Sequence, residues 1–355
     1  MTRRLTLLSC LILLPCLIIT AAEQPKPTHV LSSEQSEQIK KIFAKLTGPN
    51  RPGYSVAACR DGQLLYSQGF GLAQLEYDIP IDKETVFHVA SVSKQFVVFA
   101  IALLDSEGQL DLDDDVRKYV PEVADFGHRI TLRHLIHHTS GLRDQWDLFV
   151  LAGGRMDDVI STADVLQLVS KQVDLNFEPG AEHLYCNTGY TLLGVVVHRV
   201  SGLSVKDFCN QRIFEPLEMG HTHFHDDHRQ IVPARAYSYE KQEKGNYRKS
   251  VLSYATVGAT SLFTTPEDLL KWQQNFQTHQ VGNDAVFETM LARGKLNDGT
   301  IINYAGGVSH GNYKGLPSIS HGGADAGFRS YLIRFPSQQL SVAVTSNFAS
   351  SGTSR

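Results

Sequence analysis

The 355-residue sequence predicts an α/β fold of the α+β kind. An antiparallel sheet is built from both termini and flanked by helices, with an all-helical domain inserted. Three observations predict it. Two strand-like segments surround Asp61-Gly62, residues 86–272 carry mostly helical periodicity, and strand character returns at 318–320, 329–335 and 340–346. A sheet drawn from both ends must enclose what lies between. The domains therefore read as 23–85 with 295–355 for the sheet and 86–294 for the helical part.

Taken in order, Arg3 and Arg4 precede an apolar run over 5–19 and then Thr20-Ala21-Ala22. A basic start, a short apolar stretch and small residues describe a signal peptide over 1–22, cut after Ala22, so an exported (periplasmic or extracellular) protein is expected. The run is short for a membrane span and Pro15 interrupts it, so membrane contact is expected to be peripheral at most. Residues 23–31 read as a leader. Ser32-x-x-Gln35 then forms a capping box before Ile39, Ile42, Phe43 and Leu46 at helical spacing. Gly48-Pro49-Asn50 ends that helix, and Asp61-Gly62 joins two strands as a hairpin. Within the middle block, 96–104 and 188–200 are apolar helices, the second buried nearly all round, and 130–138 is a short amphipathic one. Pro336-Ser337 turns the last two strands.

Hydrophobic content of 42%, charged content of 20% and a net charge of −4 describe a globular protein with no basic stripe, which argues against a nucleic-acid partner. Of five cysteines, Cys10 and Cys16 leave with the signal. Cys59, Cys186 and Cys209 remain, enough for one bridge at most, and the spacing does not say which.

The chemistry concentrates in FHVASVSKQFVVFA. Ser91 and Lys94 form S-x-x-K, which on a helix puts both side chains on one face. A serine hydroxyl needs an adjacent base, and lysine serves as one only when burial lowers its pKa. The apolar run 96–99 supplies the dry surroundings. A second S-x-x-K, Ser238 to Lys241, lies in a charged, solvated stretch where lysine keeps its charge. Tyr185-Cys186-Asn187 is the one Y-x-N, placed where a loop meets the buried helix. Tyr185 would shuttle protons and Asn187 would hold a substrate amide through its carbonyl and NH₂. His321-Gly322-Gly323 is the one H-x-G. Its glycines would let substrate lie along a strand edge, and the Ala324 N–H would pair with that of Ser91 as an oxyanion hole.

S-x-x-K, Y-x-N and H-x-G in this order resemble the serine β-lactamase and penicillin-binding-protein superfamily, most of all its class C β-lactamase, DD-carboxypeptidase and esterase branch. ITLRHLIHHTSGL, NFEPGAEHLYCNTGYTLLG, IFEPLEMGHT, LFTTPEDLLKW and HGGADAGFRSYLIRFP extend the likeness over nearly the whole chain after residue 22. The resemblance implies hydrolysis of an amide, β-lactam or ester carbonyl through an acyl-serine, without a cofactor. Ser91, Lys94 and Tyr185 are then catalytic, Asn187, His321, Gly322, Gly323 and Ala324 bind substrate, and Tyr237 or Tyr239 sits at the pocket rim. The expected partner is a small-molecule or peptidoglycan-peptide substrate; the oligomeric state is left open. Histidine in place of the K-T-G lysine weakens attraction for a β-lactam carboxylate, and turnover of anionic substrates is expected to fall as pH rises through the His321 pKa near 6.5. Cys186 stands where serine is common, either tuning Tyr185 or acting as an oxidation-sensitive thiol. Relatives also carry a C-terminal helix over the sheet, so one apolar face is expected to be thinly covered.

Four rivals remain. An esterase or D-amino-acid amidase would use the same fold. A zinc hydrolase would use His223, His225, Asp227 and His228, which spell H-x-H-x-D-H within HTHFHDDH. That motif follows a helix end and turn rather than a buried strand, which favours a polar loop. An inactive binding homologue would keep the scaffold and leave Ser91 unreactive.

Overall fold

The computed structural model describes residues 30–48 and 50–353. The expected signal peptide, most of the leader and Pro49 lie outside them. A six-stranded antiparallel sheet runs in the order 309–313, 316–325, 328–335, 340–346, 54–60, 63–70, so the two ends of the chain meet at its centre. Tyr54–Arg60 pairs with Leu340–Ser346 along its whole length, from Tyr54 opposite Ser346 to Arg60 opposite Leu340. The hairpin Asp61-Gly62 has both residues at positive φ (51° and 77°), the turn that suits the twist of the strands it joins.

Period-two alternation separates the two sheet faces. Ala57, Ala343 and Leu332 point inward and are buried, while Ala58, Val342, Val344, Tyr331 and Ile333 point outward and are half-buried. The helix Pro266–Thr278 packs on the inner face, against Tyr54–Arg60 and Leu340–Ser346, although its sequence position lies in the helical block. On the outer side the N-terminal helix Ser33–Leu46 forms with the expected capping box. It rests lightly: Phe43 stacks on Phe70 and meets Tyr54, whereas Ile42 and Leu46 stay exposed.

The helical block centres on Lys94–Ser106, buried from Lys94 to Leu104. Asn187–Ser201 packs against it and is buried from Thr188 to Val197, as its all-round apolar sequence requires. The 130–138 segment is helical only over Leu132–Ile136. The block also holds a small three-stranded sheet of Phe87–His88, Leu262–Thr264 and His223–Phe224. Among the described residues no helix is long and apolar enough to cross a membrane.

Candidate active site

Ser91 lies in a 3₁₀ turn, Ala90–Ser93, that feeds directly into Lys94–Ser106. The turn is held from several sides. Ala90 is at φ 48°, a left-handed conformation that costs a non-glycine residue energy and persists only when neighbours enforce it. Ser93 Oγ donates to Ala90 O and accepts the Leu262 N–H, and Ser330 Oγ donates to Val89 O. Gly323 permits this approach: a Cβ there would sit 2.2 Å from Val89 O and 2.4 Å from Ser330 Oγ. Gly323, which also lines the cleft, is therefore required to seat the nucleophile turn against the sheet.

Lys94 is fully buried. Its Nζ lies 3.1 Å from Ser91 Oγ, 2.8 Å from Asn187 Oδ1 and 2.7 Å from Ala259 O. Burial lowers its pKa from 10.5 to about 7, against the opposing pull of the Asp325 and Asp144 charges. The three contacts are matched to this state. Asn187 Oδ1 and Ala259 O only accept, so they claim two N–H bonds. In the neutral amine the third direction is a lone pair facing Ser91 Oγ, whose hydroxyl then donates to it. A serine with its proton aimed at a neutral lysine is a nucleophile with its base in place.

Tyr185 hydrogen-bonds Ser91 through its hydroxyl. Its ring is 39% exposed on the cleft, but the hydroxyl end is buried, which pushes the phenol above its ordinary range and keeps it protonated; the Ser91 bond pulls weakly the other way. His138, fully buried, lies 4.2 Å from the Tyr185 ring, and its Nδ1 accepts the Cys186 N–H (3.0 Å), pinning the tyrosine's backbone. Cys186 is buried, its Sγ donating to Leu142 O (3.3 Å), and burial raises its pKa to about 11. That makes it an inert packing residue, not an exposed redox thiol. Cys59 and Cys209 are also buried and free.

Asn187 starts its helix with no side-chain cap from Cys186. Asp144 caps it from another segment, accepting both Asn187 N–H (2.6 Å) and Nδ2–H (2.9 Å) at one oxygen. The other Asp144 oxygen caps the helix Gln145–Leu151 through Trp146 N–H. The Asn187 amide is thus committed to Lys94 and Asp144, with one hydrogen and one lone pair left for substrate.

The strand Leu316–Asp325 is paired with Ser309–Tyr313 only up to Ser320. Beyond that its outer edge is unpaired, and the hairpin register with Phe328–Phe335 turns the backbone groups of Gly322 and Ala324 toward that edge. A cleft of about 400 Å³ opens there, lined by Ser91, Trp146, Tyr185, Asn187, Thr260, His321, Gly322, Gly323, Ala324 and Asp325. His321 faces it with neither ring nitrogen free. Nδ1–H donates to Gly322 O (2.6 Å), which leaves Nε2 to accept from Tyr304 O–H (3.0 Å). Burial and the Lys94 charge hold His321 down to about 4. The expected titration near 6.5 is overturned: His321 is neutral throughout the physiological range.

Tyr237 and Tyr239 are not among the cleft's lining residues. Tyr239 is buried, with its hydroxyl on Glu76 and the Leu75 N–H, and Tyr237 packs under Lys249. The second S-x-x-K falls on a strand, Tyr239–Lys241. Ser238 Oγ donates to Ser250 O, and residues three apart on a strand face opposite ways. Within HTHFHDDH, His223 and His225 flank the Phe263 ring and Asp227 pairs with Arg229. Among the described residues no three His, Cys, Asp or Glu are arranged to hold a metal ion.

The residues that sequence reasoning missed are Asp144, Trp146, His138, Thr260, His88, Tyr304 and Asp325. Asp144 was findable as the N-cap candidate of RDQW, and Asp325 as the acid just past the oxyanion position. Nothing in the local sequence marks Tyr304.

Fold and site together are those of a serine hydrolase. A family model described as Beta-lactamase matches residues 39–355, and the chain belongs to that family. It is 27% identical over 320 residues to a D-aminopeptidase of Gluconobacter oxydans, covering 90% of this chain and 59% of that protein. It is 28% identical over 335 residues to penicillin-binding protein 4* of Bacillus subtilis, covering 89% and 73%. Among solved structures it resembles an octameric penicillin-binding protein homologue from Pyrococcus abyssi (TM-score 0.76, 26% identity, covering 90% and 73%). In fold it also resembles a D-amino acid amidase from Ochrobactrum anthropi (TM-score 0.73, 22% identity, covering 89% and 91%). The chain spans a little under three-fifths of the length of the first of these relatives.

Proposed function

We propose that the protein is an exported hydrolase that cleaves amide bonds of small peptide or amino-acid-amide substrates through an acyl-Ser91 intermediate. The observation that carries this reading is the Lys94 amine, buried beside Ser91 with two carbonyl acceptors fixing its lone pair on the serine hydroxyl. Ser91 Oγ attacks the substrate carbonyl carbon while its proton passes to Lys94 Nζ. The oxyanion is held by the Ser91 and Ala324 N–H groups at the unpaired strand edge; removing one such donor typically costs about 10²–10³ in rate. Tyr185 O–H protonates the leaving amine and regains its proton from Lys94. Water then attacks the ester carbon, losing its proton by the same relay, and releases the acid with Ser91 restored.

The similarity to D-aminopeptidases supports amide substrates. The neutral His321 argues against efficient capture of a β-lactam carboxylate, because the cleft lining presents no cation to it. The basic start and apolar run of residues 1–22 support export.

The test is fluorophosphonate labelling followed by peptide mass spectrometry, with steady-state turnover of a D-alanine p-nitroanilide, a penicillin and a p-nitrophenyl ester. The reading requires label on Ser91, none in Ser91→Ala, and anilide turnover exceeding penicillin turnover. An unlabelled Ser91, or penicillin as the best substrate, refutes it.

A further inference from the structure

The cleft carries a carboxylate that enters the acyl-transfer steps only through its charge, which raises the Lys94 pKa. Asp325 ends the strand Leu316–Asp325 and lies one residue, about 3.3 Å of strand, past the oxyanion donor Ala324. Its Oδ2 is held by His88 Nε2–H (3.1 Å) and by Thr260 O–H. His88 is fully buried and Thr260 nearly so, so the carboxylate is fixed from behind. Oδ1 takes no hydrogen bond from the described residues, and the side chain is 13% exposed, opening into the cleft. Trp146 lines the same cleft, its ring stacked on Tyr254 (5.0 Å between centroids, 20° between planes).

A fixed carboxylate oxygen and a fixed indole lining one cleft are groups that recognise an ammonium: one by a charge-assisted hydrogen bond, the other by the negative face of its ring. The surrounding charges agree. Among the lining residues Asp325 is the one charged side chain, since both His321 nitrogens are spent. Behind the wall Asp144 adds a second carboxylate against the single lysine, Lys94. Arg329 is the nearest competing cation. It feels the Asp325 charge, but it donates its hydrogen bonds to Ala326 O and Phe328 O and forms none with Oδ1 among the described residues. The other cations of the adjoining cavity are matched already: Arg155 with Asp157, Arg248 with Glu240 and Lys249 with Glu76.

We propose that Asp325 and Trp146 form a subsite for a free ammonium group on the acyl side of the substrate, so that the enzyme selects aminoacyl amides and peptides with an unblocked amine. This rests on the acyl-Ser91 reading and names the substrate class of that site. Asp325 is then a specificity-determining residue, with His88 and Thr260 as its positioning residues.

The experiment compares D-alanine p-nitroanilide with its N-acetyl derivative at pH 7.5, where Lys94 at about 7 is already mostly neutral and loss of the Asp325 charge beside it changes the base little, in wild type, Asp325→Asn and Trp146→Leu. Asparagine keeps an oxygen for His88 and removes the charge. The expected result is a loss of about 10- to 100-fold in kcat/KM for the free amine, mostly in KM, with the N-acetyl compound and a p-nitrophenyl ester changed less than about threefold. Trp146→Leu should narrow the same preference. Equal losses on both anilides in Asp325→Asn, or a wild type indifferent to acetylation, overturn the proposal. Calorimetric binding of D-alaninamide and N-acetyl-D-alaninamide to Ser91→Ala, with and without Asp325→Asn, reads the subsite without chemistry. Preference for the amine that vanishes with Asp325→Asn supports it; equal binding of both ligands overturns it. Failure of the acyl-serine reading itself shows separately, as an unlabelled Ser91 in wild type.

Discussion

Replacing Asp144 with asparagine tests the base assignment most directly. With Lys94 at about 7, roughly 9% of the enzyme holds a neutral lysine at pH 6 and roughly 91% at pH 8. The rate of Ser91 acylation should therefore rise about tenfold between those values and level off above pH 8. A lysine at its ordinary 10.5 would instead give a rate still climbing tenfold per unit through pH 9. The Asp144 charge raises the Lys94 pKa, so removing it moves the midpoint to lower pH. The plateau should drop as well, because Asp144 holds Asn187 through two hydrogen bonds and Asn187 holds Lys94. The assay is the second-order rate of fluorophosphonate labelling from pH 5 to 9.5, which reports the nucleophile without deacylation. A profile without a plateau, or a midpoint that rises in Asp144→Asn, refutes the reasoning.

Three further outcomes follow from the same geometry. KM for an anionic substrate should stay constant from pH 5.5 to 8, since His321 titrates near 4; a KM that climbs through pH 6.5 would restore a cationic role to it. Gly323→Ala should lower the midpoint of thermal unfolding and cut Ser91 labelling at least tenfold, because the new Cβ meets Val89 O and Ser330 Oγ; an unchanged labelling rate would show that the turn seats elsewhere. Stability should fall on acidification, because His137, His225 and His321 are buried neutral at about 4. The unfolded chain binds protons first, so stability is full above about pH 6.5 and declines as pH drops toward 4, by roughly 2 kcal/mol per histidine between pH 8 and 5. Denaturant melts at those two pH values measure it, and equal midpoints would contradict the burial of all three.

The sheet and the two buried helices were legible because each has a simple period and a strong boundary. Asp61-Gly62 sets one hairpin, and the all-round apolar character of 188–200 admits one environment. The Ser33–Leu46 helix was legible as a helix but not in its packing, since a capping box fixes where a helix begins and says nothing of what covers it. In the site, Ser91, Lys94 and Tyr185 could be read from spacing, since the first two share a helix face and the third has its own motif. For Asp144 and Asp325 the local sequence marks a position, a helix N-cap and the end of the H-x-G strand, but not the contact each makes, and for Tyr304 it marks neither. Each acts through a partner 17 to 237 residues away, and no local pattern records such a contact. Tyr237 and Tyr239, which the resemblance places at the pocket rim, lie off the cleft lining because Tyr239 turns its hydroxyl to Glu76 and Leu75 N–H and Tyr237 packs under Lys249.

The two S-x-x-K copies show what the motif leaves unsaid. At Ser238 the spacing is identical, yet the segment is a strand, Ser238 spends its hydroxyl on Ser250 O, and Lys241 is exposed. Lysine becomes a base only where helix geometry turns it to the serine and burial makes its charge costly. Burial of that kind acts on every group in reach. The dry wall that brings Lys94 down to about 7 also brings His321 down to about 4, and the Lys94 charge depresses it further. A lysine base at neutral pH and a cationic H-x-G histidine are therefore competing demands on one pocket. This chain resolves them in favour of the base, fixing His321 as a neutral link between Tyr304 and Gly322. The cleft then has no cation in its lining and one fixed carboxylate, Asp325, and the preference for an ammonium over a carboxylate substrate follows from the same desolvation that activates Ser91.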